Sequence, residues 1–243
     1  SGVVLQQPGH APDNGTVGEH GFDAKDLLAH AAFQVAVAHI LKNAGQVGHR
    51  AGRQAFAGED FDKFARGHAG ITLDAALCSA PADLATDPYV IEPGEVVANQ
   101  AGAANFSREL RNILTITDQP TRPAQRLIVG ETFVPSGNWS TYPPHKHEMD
   151  DLPREARHEE MYYFRVAPGE GFGICRHYSP ERGYDFNYTV KDSTLFMAPH
   201  GYHTTCSAPG YTNYFLWFLA GEHRTQAVAF DPDLAWVQKT VPM

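Results

Sequence analysis

From about Asn105 to Val241 the apolar positions fall in short runs with turn-forming residues between them. Leu127–Phe133, Met161–Val166, Phe172–Tyr178, Tyr188–Val190, Thr194–Ala198 and Tyr211–Leu219 are rich in Val, Ile, Phe, Tyr and Thr. Clusters such as Pro135-Ser136-Gly137-Asn138, Pro168-Gly169-Glu170-Gly171 and Pro209-Gly210 separate them. β-branched and aromatic side chains suit a pleated, half-buried surface, and Pro, Gly and Asn supply the turns. Short strands at close spacing predict an antiparallel sandwich or barrel. The first hundred residues are less regular. Phe33–Leu41 alternates well enough for a strand, though its alanines also permit a helix. Ile71–Leu77 and Tyr89–Ile91 are short strand candidates, Gly45–Gly70 has weak periodicity, and Pro81–Glu95 reads as a connector.

Within the β-rich part, one segment carries more than packing information. It runs Gly137-Asn138-Trp139-Ser140-Thr141-Tyr142-Pro143-Pro144-His145-Lys146-His147. Residues i and i+2 of a strand share a face, so His145 and His147 aim two imidazoles at one point while Lys146 aims away. The charged stretch Glu148–His158 reads as a loop. After it, His158-Glu159-Glu160-Met161-Tyr162-Tyr163-Phe164 is a strand that can return beside the first and offers a carboxylate. Neighbouring strand residues face opposite ways, so only one of Glu159 and Glu160 can join the histidines. Further on, Ala198-Pro199-His200-Gly201-Tyr202-His203 supplies a turn and a third histidine. Three imidazoles and a carboxylate leave open positions on a divalent metal, as catalysis requires. An isolated His-x-His arises readily by chance among 13 histidines; the ordered combination is far more specific.

These residues resemble the cupin signature. The segments GNWSTYPPHKH, EEMYYFR, GFGICRHY and PHGYH, with APGY and FLAG after them, are similar to the 5-deoxy-glucuronate isomerase family of inositol catabolism, the KduI/IolB type. That resemblance implies an all-β fold, a bicupin of two jelly-roll barrels with the metal in the C-terminal one. Here it gives a degenerate or shortened N-terminal cupin-like domain over residues 1–100 and a metal-binding cupin domain over residues 101–243. The segments GVVLQQPGHAPDNGTV, FQVAVAHIL and ALCSAPAD also resemble the family, but the chain between them is short for an intact first barrel. Carried over residue by residue, the metal positions are His145, His147, Glu160 and His203. His200 stands where the family commonly has Arg, and Phe186 stands where an acidic residue is expected after Asp185. The second motif is one residue shorter than the usual Pro-x-Gly-x-x-His.

The reaction the resemblance implies is an aldose–ketose isomerisation of 5-deoxy-glucuronate to 2-deoxy-5-keto-gluconate. One divalent metal, zinc or manganese, would stabilise the charge that develops as the proton beside the carbonyl leaves, and a positioned base would move that proton. A guanidinium matches the substrate carboxylate, and Arg176, then Arg165, are the candidates. Tyr142, Tyr162 and Tyr178 are candidates for hydrogen bonds to the sugar, and Asp185 for the proton carrier. Two other readings use the same ligands: an iron-dependent cupin oxygenase and a non-enzymatic sugar-acid-binding cupin.

Composition narrows the partners. The formal charge is −9 without any Lys/Arg run, which disfavours nucleic acid. Tyr214–Ala220 is far shorter than the roughly 20 apolar residues that span a bilayer, so no membrane partner is expected. Cys78, Cys175 and Cys206 are scattered, odd in number and form no C-x-x-C, which suits a reducing, cytoplasmic setting and argues against a thiolate zinc site. No secretory leader is visible, and the start Ser1-Gly2 reads as a processed or tag-scarred terminus. Exposed barrel edges favour pairing into a homo-oligomer.

Overall fold

The computed structural model describes residues 4–5, 33–40, 53–55, 74–84, 86 and 89–240. Its strands are β1 (Val4–Leu5), β2 (Phe33–Ile40), β3 (Arg53–Ala55), β4 (Asp74–Pro81), β5 (Tyr89–Ile91), β6 (Ala98–Ala101), β7 (Arg108–Leu114) and β8 (Leu127–Val134). They continue with β9 (Trp139–Lys146), β10 (Glu159–Ala167), β11 (Gly173–Ser179), β12 (Tyr184–Val190), β13 (Thr194–Ala198), β14 (Tyr202–Ser207), β15 (Thr212–Ala220) and β16 (Ala229–Phe230). Three sheets result. The largest has the order β1-β13-β10-β15-β8-β7-β6, the second β12-β11-β14-β9-β16, and the third β4-β2-β3-β5.

The seven-stranded sheet lies in the middle. One of its faces packs on the five-stranded sheet through Ile128, Tyr162, Phe164, Cys175, Val190, Phe196, Phe215 and Trp217. The other packs on the third sheet, where Leu127, Val129 and Leu216 meet Cys78, Ala80 and Ile91. This explains why β15 reads as an almost unbroken apolar run: a strand covered on both faces has no side for polar residues. Phe164 and Phe215 are almost completely buried, and each such side chain contributes roughly 1.5–3 kcal/mol.

The all-β expectation holds in the C-terminal part, with most expected boundaries moving by a residue or two, while β12 starts four residues before the expected Tyr188 and β7 was not among the expected strands. Phe33–Ile40 is a strand rather than a helix, because its backbone is taken up between β3 and β4. The strand expected at Ile71–Leu77 lies at Asp74–Pro81, and the supposed connector Pro81–Glu95 contains β5. Most of Gly45–Gly70 lies outside the described residues. Val4–Leu5 pairs in parallel with β13, so the start of the chain joins the seven-stranded sheet.

Candidate metal centre

β9, β10 and β14 bring the four sequence-predicted metal residues together. β9 and β14 are neighbours in the five-stranded sheet, with His145 opposite His203. Glu160 and Tyr162 come from β10, in the facing sheet, on the face that carries Phe164 into the interior. The pleat settles the choice of carboxylate, since Glu159 is exposed and Glu160 is buried. Lys146 turns away, its ammonium lying over the Tyr202 ring and 3.8 Å from Glu181.

A bulge makes this convergence possible. Along β14 the step from Thr205 to His203 is two residues, while on β9 the partners run from Ser140 to His145, five residues. An odd step along a regular strand places its ends on opposite faces. Yet Ser140 and His145 both face inward, opposite Thr205 and His203. The surplus residues leave the ladder at Thr141, whose φ is 53°, and the bulge resets the parity so that both histidines of His-x-His point into the barrel. The same bulge carries Tyr142 to the outer face, against Phe106 and Trp139.

The donor atoms of His145, His147, Glu160 and His203 all lie within 4.8 Å of one another. Glu160 Oε2 stands 2.8 Å from His147 Nε2 and 2.9 Å from His203 Nε2. His147 Nδ1 donates to the His158 carbonyl at 2.8 Å. With its proton fixed there, Nε2 presents its lone pair to the group, the usual arrangement behind a metal-ligating histidine. Nitrogen and oxygen ligands stand about 2.0–2.2 Å from zinc, so two of them lie at most about 4.4 Å apart. A contraction of a few tenths of an ångström would close the group on one cation, and the residues present fit a divalent metal. Burial alone would raise the Glu160 carboxyl, but hydrogen bonds and charge from His147 and His203 hold it well below the ordinary carboxylate range. Burial, reinforced by His203, pushes the His145 imidazole far down, which keeps it neutral as a ligand must be.

Tyr162 belongs to the same cluster. Its hydroxyl is 3.0 Å from His203 Nε2 and 3.3 Å from Thr141 Oγ1. Burial, then the Glu160 charge, drives its pKa upward, so it remains a neutral donor. The other predicted residues do not join it. Arg176 and Tyr178 alternate with Cys175 and His177 on β11 and face outward; Arg176 is forked onto Asp185 at 2.9 and 2.6 Å, and the Tyr178 hydroxyl donates to Asp231. Asp185 is therefore on the outer face too. Arg165 faces away from Glu160 on β10 and holds Asp192 at 2.7 Å. Tyr142 and Arg176 line an outer cavity of about 380 Å³ with Phe106, Trp139 and Leu234.

Sequence reasoning missed two neighbours of the centre. Thr141 is the bulge residue beside Tyr162. His177 pairs across the sheet with His203, is fully buried, and has its Nε2 2.6 Å from the His200 carbonyl. A signal for His177 existed in its parity with Cys175; Thr141 depends on the bulge.

The fold and site define a two-sheet β-barrel protein with an interior three-histidine, one-glutamate centre, backed by a third sheet. The KduI/IolB family model matches residues 58–237, and the chain belongs to that family. It is 40% identical over 168 residues to a 5-deoxy-glucuronate isomerase of Geobacillus kaustophilus, a match covering 69% of this chain and 59% of that protein. It is 36% identical over 162 residues to the 5-deoxy-glucuronate isomerase of Bacillus subtilis strain 168, covering 67% and 59%. The chain thus spans about three fifths of the length of the curated relatives it matches. Among solved structures, an IolB-like protein from Salmonella typhimurium LT2 superposes with a TM-score of 0.72 at 25% identity, covering 85% of this chain and 82% of that one.

Proposed function

We propose that the chain is a metal-dependent aldose–ketose isomerase that converts 5-deoxy-glucuronate to 2-deoxy-5-keto-gluconate in inositol catabolism. The observation that carries this reading is the buried convergence of His145, His147, Glu160 and His203 on one point of the barrel interior. Family membership and the names of the relatives agree with it. Zinc or manganese suits the ligand set, since the reaction needs no redox change. When bound, such an ion supplies Lewis-acid polarisation of the substrate carbonyl and its neighbouring hydroxyl. The chain's own residues do the rest. The four ligands fix the ion at the inner wall, the His158 carbonyl holds His147 in the ligating tautomer, and Tyr162 offers a neutral O–H to a substrate oxygen. The apolar layer of Phe164, Phe196 and Phe215 excludes water from below.

The reading extends to organisation and setting. We assign the barrel to a cupin domain over residues 101–243 and residues 1–100 to a shortened N-terminal partner. A cytoplasmic location accords with three free cysteines. No helix among the described residues is long and apolar enough to cross a membrane.

The test is metal analysis joined to an isomerase assay. The protein as purified is expected to hold about one divalent ion per chain and to interconvert 5-deoxy-glucuronate and its ketose anaerobically. His147→Ala is expected to lose both the ion and turnover, whereas Glu159→Gln keeps both. Full turnover in metal-stripped protein refutes the proposal.

A further inference from the structure

Thr141 stands in the bulge of β9 with a φ of 53°. Glycine, asparagine and aspartate adopt that left-handed conformation readily, whereas a β-branched residue there is a genuine outlier. Such residues persist where the surroundings over-determine them, and they cluster at active sites. The bulge is pinned on both sides. The Ser140 carbonyl accepts from Thr204 Oγ1 at 3.0 Å, and His145 beyond the bulge is paired with His203.

The side chain gives this strained position a use. Thr141 Oγ1 lies 3.3 Å from the Tyr162 hydroxyl, which is its hydrogen-bond partner among the described residues. The two residues are only 8% and 2% exposed, so bulk water does not stand in for either group. The other polar neighbours of the phenol are His203, whose Nε2 is 3.0 Å away, and Glu160. Both belong to the group that could hold an ion. Once His203 Nε2 gives its lone pair to an ion, it neither donates to the phenol nor accepts from it. A hydroxyl has one proton and two lone pairs. Were Tyr162 to donate to Thr141, its proton would be spent before a substrate arrived. With Thr141 as the donor, Tyr162 accepts on a lone pair and keeps its own O–H. That bond also polarises the phenol in the direction that makes its O–H the better donor.

We infer that Thr141 is a positioning residue, whose hydroxyl donates to Tyr162 and leaves the phenol O–H directed at the substrate oxygen that gains charge during isomerisation. This rests on the isomerase reading above and on the role that reading gives Tyr162. It also accounts for a threonine where the backbone alone would favour glycine or asparagine.

Thr141→Val tests it, because valine keeps the branch and the shape and removes only the hydroxyl. On zinc-loaded protein this variant is expected to lower kcat about 2- to 12-fold, the range of one neutral hydrogen bond. KM should stay within about twofold and zinc content should be unchanged, while Thr141→Ser, which keeps the hydroxyl, should restore most of kcat. Thr141→Ala repeats the comparison should the valine variant not fold. Calorimetry with glycolohydroxamate, whose charged oxygen mimics the one that develops in the reaction, reads the same contact apart from turnover. Its Kd should rise by the same factor in Thr141→Val. In a Tyr162→Phe background, Thr141→Val should change neither kcat nor that Kd, since the partner it acts through is gone. Effects of full size in that background would assign Thr141 a purely structural role, and so would loss of zinc from Thr141→Val. A hydroxyl-free variant that matches wild type in kcat and in hydroxamate affinity would show that the contact directs nothing. Each of these results overturns the inference. Wild-type protein that binds the hydroxamate without converting 5-deoxy-glucuronate would remove the isomerase reading and leave the calorimetric comparison to decide Thr141. Wild-type protein that does neither overturns both.

Discussion

Gly130 offers a sharp test of how the wall behind the centre is packed. It sits on β8 opposite Trp217 of β15, which is in turn opposite Tyr162 of β10. The indole lies over the glycine: a Cβ there would stand 2.0 Å from one ring carbon and 2.4 and 2.5 Å from two others. Carbon atoms pack at about 3.5–4.0 Å, so Gly130→Ala demands roughly 1.5 Å of movement by a buried ring or by the strand beneath it. The indole cannot yield freely, because its Nε1 donates to Thr132 Oγ1 at 3.1 Å. Overpacking of this kind costs about 1–3 kcal/mol, and loss of the hydrogen bond adds about 0.5–1.5 kcal/mol. Reduced freedom of the unfolded chain returns about 0.4–1 kcal/mol. The expected net loss is about 0.5–4 kcal/mol, read as a fall in the urea midpoint with the slope unchanged. Because the wall moves towards Tyr162, kcat should fall as well. Trp217→Phe, tested in both backgrounds, should be damaging alone and should recover part of the loss in the double variant, giving a coupling energy between the two sites. A Gly130→Ala variant as stable as the wild type, or strictly additive effects, would refute the packing account.

Two further predictions complement the metal test above. Gly201 holds a φ of +76° in the turn before β14, with its amide donating to Glu148 at 2.8 Å, and a Cβ there would lie 2.8 Å from the Tyr178 carbonyl. Gly201→Ala should cost about 1–2 kcal/mol from the left-handed backbone alone and, by shifting His203, lower the zinc affinity measured by chelator competition; unaltered affinity would show that the turn does not set that ligand. At the opposite end of β10, Asp192 accepts from Arg165 and from the Val166 amide at 3.1 Å. Asp192→Ala should destabilise by about 1–3 kcal/mol through unpaired donors while leaving metal content unchanged, and a loss of metal would show that this end of the strand is coupled to the centre.

Local chemistry alone made much of this protein readable. Alternation and turn residues placed most C-terminal strands to within a residue or two, because β-branched and aromatic runs bounded by Pro and Gly have few other stable conformations. The spacing of His145 and His147, the order of Glu160 and His203 after them, and the resemblance those motifs carry picked out four residues whose donor atoms the fold brings within 4.8 Å of one another. β7 escaped notice because Arg108–Leu114 mixes charges into a strand whose outer side chains pair with neighbours, as Arg111 does with Glu109. The start of β12 escaped because Tyr184–Asn187 has exposed polar positions on a sheet edge.

Tertiary structure decided everything that depends on which face a side chain meets. Counting along β9 from Ser140 would have turned the histidines outward; the bulge at Thr141 turns them in, and a bulge is fixed by the partner strand's ladder rather than by the residues that form it. Arg176, and after it Arg165, looked able to bind an acid until the pleat sent each to an outer face with its own aspartate. A chain specifies its strands through neighbours a few residues away, whereas the electrostatics of a buried site are set by strands that meet only when the sheets close.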